Sequence, residues 1–218
     1  PISSTGTSIA QDRAIISDEA GTFYIINSSG LLYKKKTETG TILGGIVSNT
    51  DKSKIFWGNM RGQIYTAVTA TLNQYLLFAA DAGIYSTPLV HGNSLIVTSL
   101  DKNIYCLDTE KGSLLWRFET KGRIFASPII HEGIVYIGSN DGKLYALNEQ
   151  TGKEMGGFQT TERITSAVTI DSKGRILITT FANELYLLSI IRNFPDVTLD
   201  ISRNEPIKTW AAESIHAV

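Results

Sequence analysis

Two pairs of residues are spaced so that chemistry could follow from them. His91 and His131 stand 40 residues apart, and so do Arg123 and Arg163. Paired imidazoles can begin a zinc site, but zinc wants three or four converging ligands with local spacings such as Cys-x-x-Cys or His-Glu-x-x-His. Neither spacing occurs, and the third histidine, His216, lies in the C-terminal tail. The histidines therefore read as turn residues, and no metal ligand is assigned. The arginines suit bidentate recognition of a carboxylate or phosphate. With Arg61, Lys102 and Lys143, which fall in comparable turns, they predict a basic face that binds an acidic ligand or peptide. Local pairing with Glu162 and Asp101 is the competing expectation.

Other chemistry is harder to find. Cys106 is the single cysteine and sits in an apolar run, so it has no intrachain disulfide partner. No Gly-x-Ser-x-Gly elbow, phosphate loop or dinucleotide fingerprint stands in a strand-to-helix setting, and no catalytic residue is assigned. Asp18, Glu19, Asp101 and Asp141 recur where Asp and Asn are favoured for hydrogen bonds within turns. Trp57, Trp116 and a series of tyrosines could stack on sugars or bases, but their equivalent places in the sequence point to packing. The chain has 218 residues, 42% of them hydrophobic, and a formal net charge of -1. That balance excludes a disordered chain and a generic polyanion binder, so no nucleic-acid partner is expected. No apolar run reaches the roughly 18 residues of a spanning helix.

The elements that must position these residues show themselves as a repeat. Tyr24, Tyr65, Tyr105, Tyr145 and Tyr186 are separated by 41, 40, 40 and 41 residues. Around each lie short runs of Ile, Val, Leu and Tyr, bounded by Gly, Asn, Asp and Ser, which is the pattern of short strands joined by hairpin turns. Helical periodicity is absent. Four antiparallel strands per unit of about 40 residues predict the blade of a β-propeller. Blades are expected at 5–40, 44–80, 86–120, 126–160 and 166–212 within one domain.

The run Ala146-Leu147-Asn148-Glu149-Gln150-Thr151-Gly152-Lys153 resembles the docking motif of pyrroloquinoline-quinone-type repeats, in which Ala, an acidic residue, Thr-Gly-Lys and Trp recur at fixed offsets. Cys106-Leu107-Asp108 through Gly112 to Trp116 matches the same frame, and Trp210 stands as its counterpart in the fifth copy. The resemblance implies that Trp116 and Trp210, with Gly112 and Gly152, dock one blade on the next. It departs at Gly156, which stands where the fourth copy would carry its Trp. The family includes eight-bladed quinoprotein dehydrogenases and non-enzymatic propellers such as the outer-membrane assembly lipoprotein of bacteria. It therefore implies a periplasmic or extracellular setting, with no cofactor for the scaffold. The enzyme alternative would need the quinone, calcium and a vicinal cysteine pair that Cys106 alone does not supply.

Residues 213–218 echo the lead-in to the fifth copy, so they begin a sixth unit or close the ring. Either the five units form a closed five-bladed ring, or they are part of a seven- to eight-bladed propeller in a longer chain; the echo favours the latter. The fifth copy also carries 13 extra residues within Ile191 to Glu205, expected to protrude as a loop with a short strand at Val197-Thr198-Leu199. The expected function is a non-catalytic scaffold that binds a protein or peptide through its loop face. A quinoprotein oxidoreductase fragment and a small-molecule sensor are the alternatives.

Overall fold

The computed structural model describes residues 6–193, 196–201 and 207–208, all strand, turn or loop. The strands follow one another up and down in five sheets. The first contains β1 (Thr7–Ala10), β2 (Arg13–Ser17), β3 (Thr22–Asn27) and β4 (Gly30–Lys36). The second contains β5 (Val47–Ser48), β6 (Lys54–Gly58), β7 (Gln63–Val68) and β8 (Gln74–Ala79). The third contains β9 (Leu89–His91), β10 (Ser94–Thr98), β11 (Asn103–Asp108) and β12 (Leu114–Glu119). The fourth contains β13 (Ile129–His131), β14 (Ile134–Gly138), β15 (Lys143–Asn148) and β16 (Glu154–Gln159). The fifth contains β17 (Thr169–Ile170), β18 (Ile176–Thr179), β19 (Glu184–Asn193), β20 (Asp196–Ile201) and β21 (Ile207–Lys208). Every pairing is antiparallel. These are the blades of a β-propeller.

A strand buried on both faces must be apolar at successive positions, and the second strands are. Phe56 faces the third sheet while Ile55 and Trp57 face the first; Ile96 and Val97, and Tyr136 and Ile137, divide in the same way. Each consecutive pair of sheets encloses one core cluster, and among the described residues no cluster joins the fifth sheet to the first. Trp57 is fully buried, edge-on to Phe23 at 4.9 Å and stacked with Tyr65 at 5.7 Å, so these aromatics serve packing.

The repeated tyrosines tie each sheet to its own turn. Tyr105 and Tyr145 donate to Asp101 Oδ2 and Asp141 Oδ2 at 2.7 Å. The same carboxylates accept the backbone N–H of Asp81 and Lys121 from the preceding connection, so each turn also clamps the previous blade. Burial, followed by these carboxylates, pushes both phenols well above their ordinary range.

The joints between blades differ. Trp116 lies on Gly152, where an added Cβ would come 2.5 Å from the indole, and its Nε1 donates to Glu149 O at 2.7 Å. Gly152 has φ +68°, a left-handed turn conformation that costs a residue with a side chain about 1–2 kcal/mol. At the preceding joint Leu77 takes the indole's part over Gly112, where a Cβ would lie 2.3 Å from Leu77 O. Leu72 holds the corresponding place in the second blade, with φ 53°, and fills the space with its own buried side chain. Trp210 lies outside the described residues, as do residues 213–218.

The insertion in the fifth sheet is a β-hairpin. β19 runs on so that β20 pairs with Leu188–Asn193 while β21 pairs with Glu184 and Leu185, the fourth-strand place. β20 leans on β16, and Val197 and Leu199 are buried in the core shared with the fourth sheet.

Candidate functional site

In an up-and-down blade, the turn between the second and third strands opens at the same end as the connection to the next blade. Arg123 O accepts Asn140 N–H and Arg163 O accepts Phe181 N–H, each at 3.0 Å. Thr41 O with Met60 N–H and Gly83 O with Leu100 N–H repeat this bond. Arg123 and Arg163 thus hold equivalent places in successive connections, and both are exposed.

The remaining basic residues occupy different places. Arg61 stands at the turn position of Asp101 and Asp141, and its N–H donates to Asn59 Oδ1. Lys102 takes the position of Gly142, with φ 74°, and its carbonyl accepts the Thr120 N–H and hydroxyl. Lys143 begins β15, where its Nζ meets Glu154 Oε1 at 2.5 Å and lies 4.6 Å from the Tyr145 ring centre. Lys143 is therefore committed to an outer pair within its own blade.

Phe181 is the residue that sequence reasoning passed over. It occupies the turn position of Asn140, is 61% exposed, and carries the Arg163 guanidinium 3.6 Å from its ring centre. An aromatic in a turn otherwise built of polar and small residues was the available signal. Arg163 also borders a cleft of about 230 Å³ with Asn140, Asp141, Thr161 and Glu162. Nearby in the repeat, Tyr85 and Phe125 follow the first core Ile of successive connections and meet edge to face at 5.5 Å. Tyr and Arg are residue types on which binding energy concentrates at protein interfaces.

Each histidine meets one carboxylate. His91 Nδ1 contacts Glu149 Oε1 across the joint of the third and fourth blades, and His131 lies 4.0 Å from Glu132. Among the described residues no cluster of three metal-ligating groups occurs. Cys106 is enclosed between the third and fourth sheets, and burial pushes its thiol up to about 11. Asp101 and Asp141, the carboxylates best placed by the repeat, are taken up by backbone N–H and tyrosine hydroxyls.

No curated protein sequence matches the chain. Among solved structures, the crystal structure of BamB from Moraxella catarrhalis is similar, with a TM-score of 0.74 and 18% identity. That likeness covers 85% of this chain and 60% of that one. The computationally designed Ika8 protein is similar with a TM-score of 0.70 and 13% identity over 84% of this chain and 56% of that one. The chain thus spans less than two thirds of either structure. A family profile described as outer membrane protein assembly factor BamB matches residues 5–218, and with the five four-stranded sheets this shows that the chain belongs to that family of pyrroloquinoline-quinone-type repeat propellers.

Proposed function

We propose that the chain is a non-catalytic scaffold that binds a protein or peptide at the end of the propeller bearing Arg123, Arg163 and Phe181. The observation that carries this reading is the Arg163 guanidinium stacked on a largely exposed Phe181. A guanidinium against an aromatic face can still direct N–H groups outward in its own plane to an acceptor, and Arg123 repeats the charge one blade away. A partner segment combining an acidic and an apolar residue fits both features. Membership of the BamB family supports an interaction role in assembly and a periplasmic, outer-membrane-associated setting.

Selection of displayed random peptides against the protein tests the reading. Binders should share an acidic residue beside an apolar one, and affinity should fall with added salt. R163A combined with F181A should weaken them at least tenfold without moving the melting temperature by more than about 2 °C, because both side chains lie at the surface. Unchanged affinity in that double variant overturns the proposal.

A further inference from the structure

At the opposite end of the propeller, side-chain pairs that differ in position cross two successive joints. Lys54, which opens the second strand of the second blade, meets Glu110 in the third blade at 2.6 Å. One joint further on, His91 reaches Glu149 of the fourth blade. In the first blade the residue equivalent to Lys54 is Arg13, since Ile16 pairs with Tyr24 as Trp57 pairs with Tyr65. The second-blade residue equivalent to Glu110 is Ala70, since Leu72 N–H bonds to Val68 O as Gly112 N–H bonds to Asp108 O. The acid is therefore missing, and Arg13 has Asp12 of its own turn at 3.7 Å.

A cleft of about 390 Å³ opens at that joint, lined by Ile9, Ile25, Val68, Arg13, Lys52 and Thr69 among others. Lys52 reaches across it to Ser8 Oγ at 3.0 Å. Thr69 Oγ1 is inaccessible to solvent and has no hydrogen-bond partner, which costs about 1–3 kcal/mol for a buried polar group. The volume falls in the range of small-molecule sites, with an apolar floor and a few convergent polar groups.

We propose that this cleft binds a carboxylate carried on a small apolar body, the carboxylate standing where Glu110 stands at the next joint. Arg13 and Lys52 supply charge-assisted hydrogen bonds, and the aliphatic side chains of Ile9, Ile25 and Val68 receive the apolar part. The site lies at the other end of the molecule from Arg163, so its failure leaves the proposed partner face untouched.

Titration of the whole chain with hexanoate and 3-phenylpropionate, each beside its neutral amide, provides the test. Saturable binding of the acids should be at least tenfold tighter than that of the amides. A70E, which restores the internal acid at an exposed position, should weaken the acids at least tenfold while leaving the melting temperature equal or higher. R13Q should weaken them to the same degree, and its melting curve separates lost binding from lost folding. A short peptide with an apolar last residue, free or amidated at its C-terminus, distinguishes the source: binding of the free peptide alone places the carboxylate on a chain end. If neither acids nor free peptide bind, if acid and amide bind alike, or if A70E binds as well as the unaltered chain, the proposal is wrong.

Discussion

At the joint between the third and fourth sheets Trp116 lays its indole on Gly152, whereas one blade further the same strand position is Gly156 and the space is taken by backbone. A Cβ at Gly156 would lie 1.8 Å from Val197 O, and Val197 and Leu199 are buried where the indole would have gone. The missing tryptophan of the fourth blade and the extra strand of the fifth are thus two halves of one exchange. Interiors are packed too tightly to keep both an indole and β20 in one joint, or to lose both. One joint is held by a side chain, the other by a strand.

The difference is sharpest in what a single truncation removes. W116A should cost about 3–5 kcal/mol, the usual range for deleting a large buried aromatic, and it also strips Glu149 O of its donor. Chemical denaturation checks this directly. A cost below about 1 kcal/mol would mean that Trp116 is not what holds the third joint.

The converse change at the next joint adds one carbon where Trp116 adds an indole. G156A should destabilise by about 1–3 kcal/mol through overpacking, because the obstacle is the Val197 carbonyl and not a side chain that can turn away. G30A is the control, since a Cβ there has no heavy atom within 4 Å; its φ of +118° leaves backbone strain as the sole expected cost. If G156A matches the unaltered chain in denaturant midpoint, β20 does not seat as described and the two joints are alike.

The frame of the fold was legible because the period fixes residues that face two neighbours at once: Tyr105 and Tyr145 recur since each must bury its ring and reach a turn carboxylate. The hairpin of the fifth blade was legible only as extra length with a strand in it. Its seat on Gly156 was not, since that compensation links residues 41 positions apart in different blades. The places of the predicted basic residues were legible only in part. Arg123 and Arg163 share a register because they precede equivalent core isoleucines, Ile124 and Ile164, while Lys143 was drawn away by Glu154, a partner on the next strand. Ala70, the residue that opens the cleft at the first joint, carries no signal of its own until its counterpart Glu110 is seen paired.

The smallest expected effect concerns how each blade clamps the connection before it. In the fourth blade Asp141 receives Lys121 N–H and the Tyr145 hydroxyl; in the fifth the corresponding turn residue is Ala182, and Glu184, two residues on, takes over. Its Oε2 accepts hydrogen bonds from the hydroxyls of Thr161 at 2.5 Å, Tyr186 at 3.0 Å and Thr180 at 3.1 Å. The Thr161 hydroxyl first, and then those of Tyr186 and Thr180, hold the carboxyl below the usual 4.5 against the opposing effect of burial. A carboxylate whose pKa is lowered on folding stabilises the native state above its ordinary value, and that contribution fades as pH falls through the folded value. E184Q should therefore melt slightly lower than the unaltered chain at neutral pH, by less than about 2 °C given the site's exposure to solvent. The two melting curves should converge as pH drops below 4.5. A gap that stays constant from pH 7 to pH 3 would show that the glutamine disturbs packing, and that the fifth blade's clamp does not depend on charge.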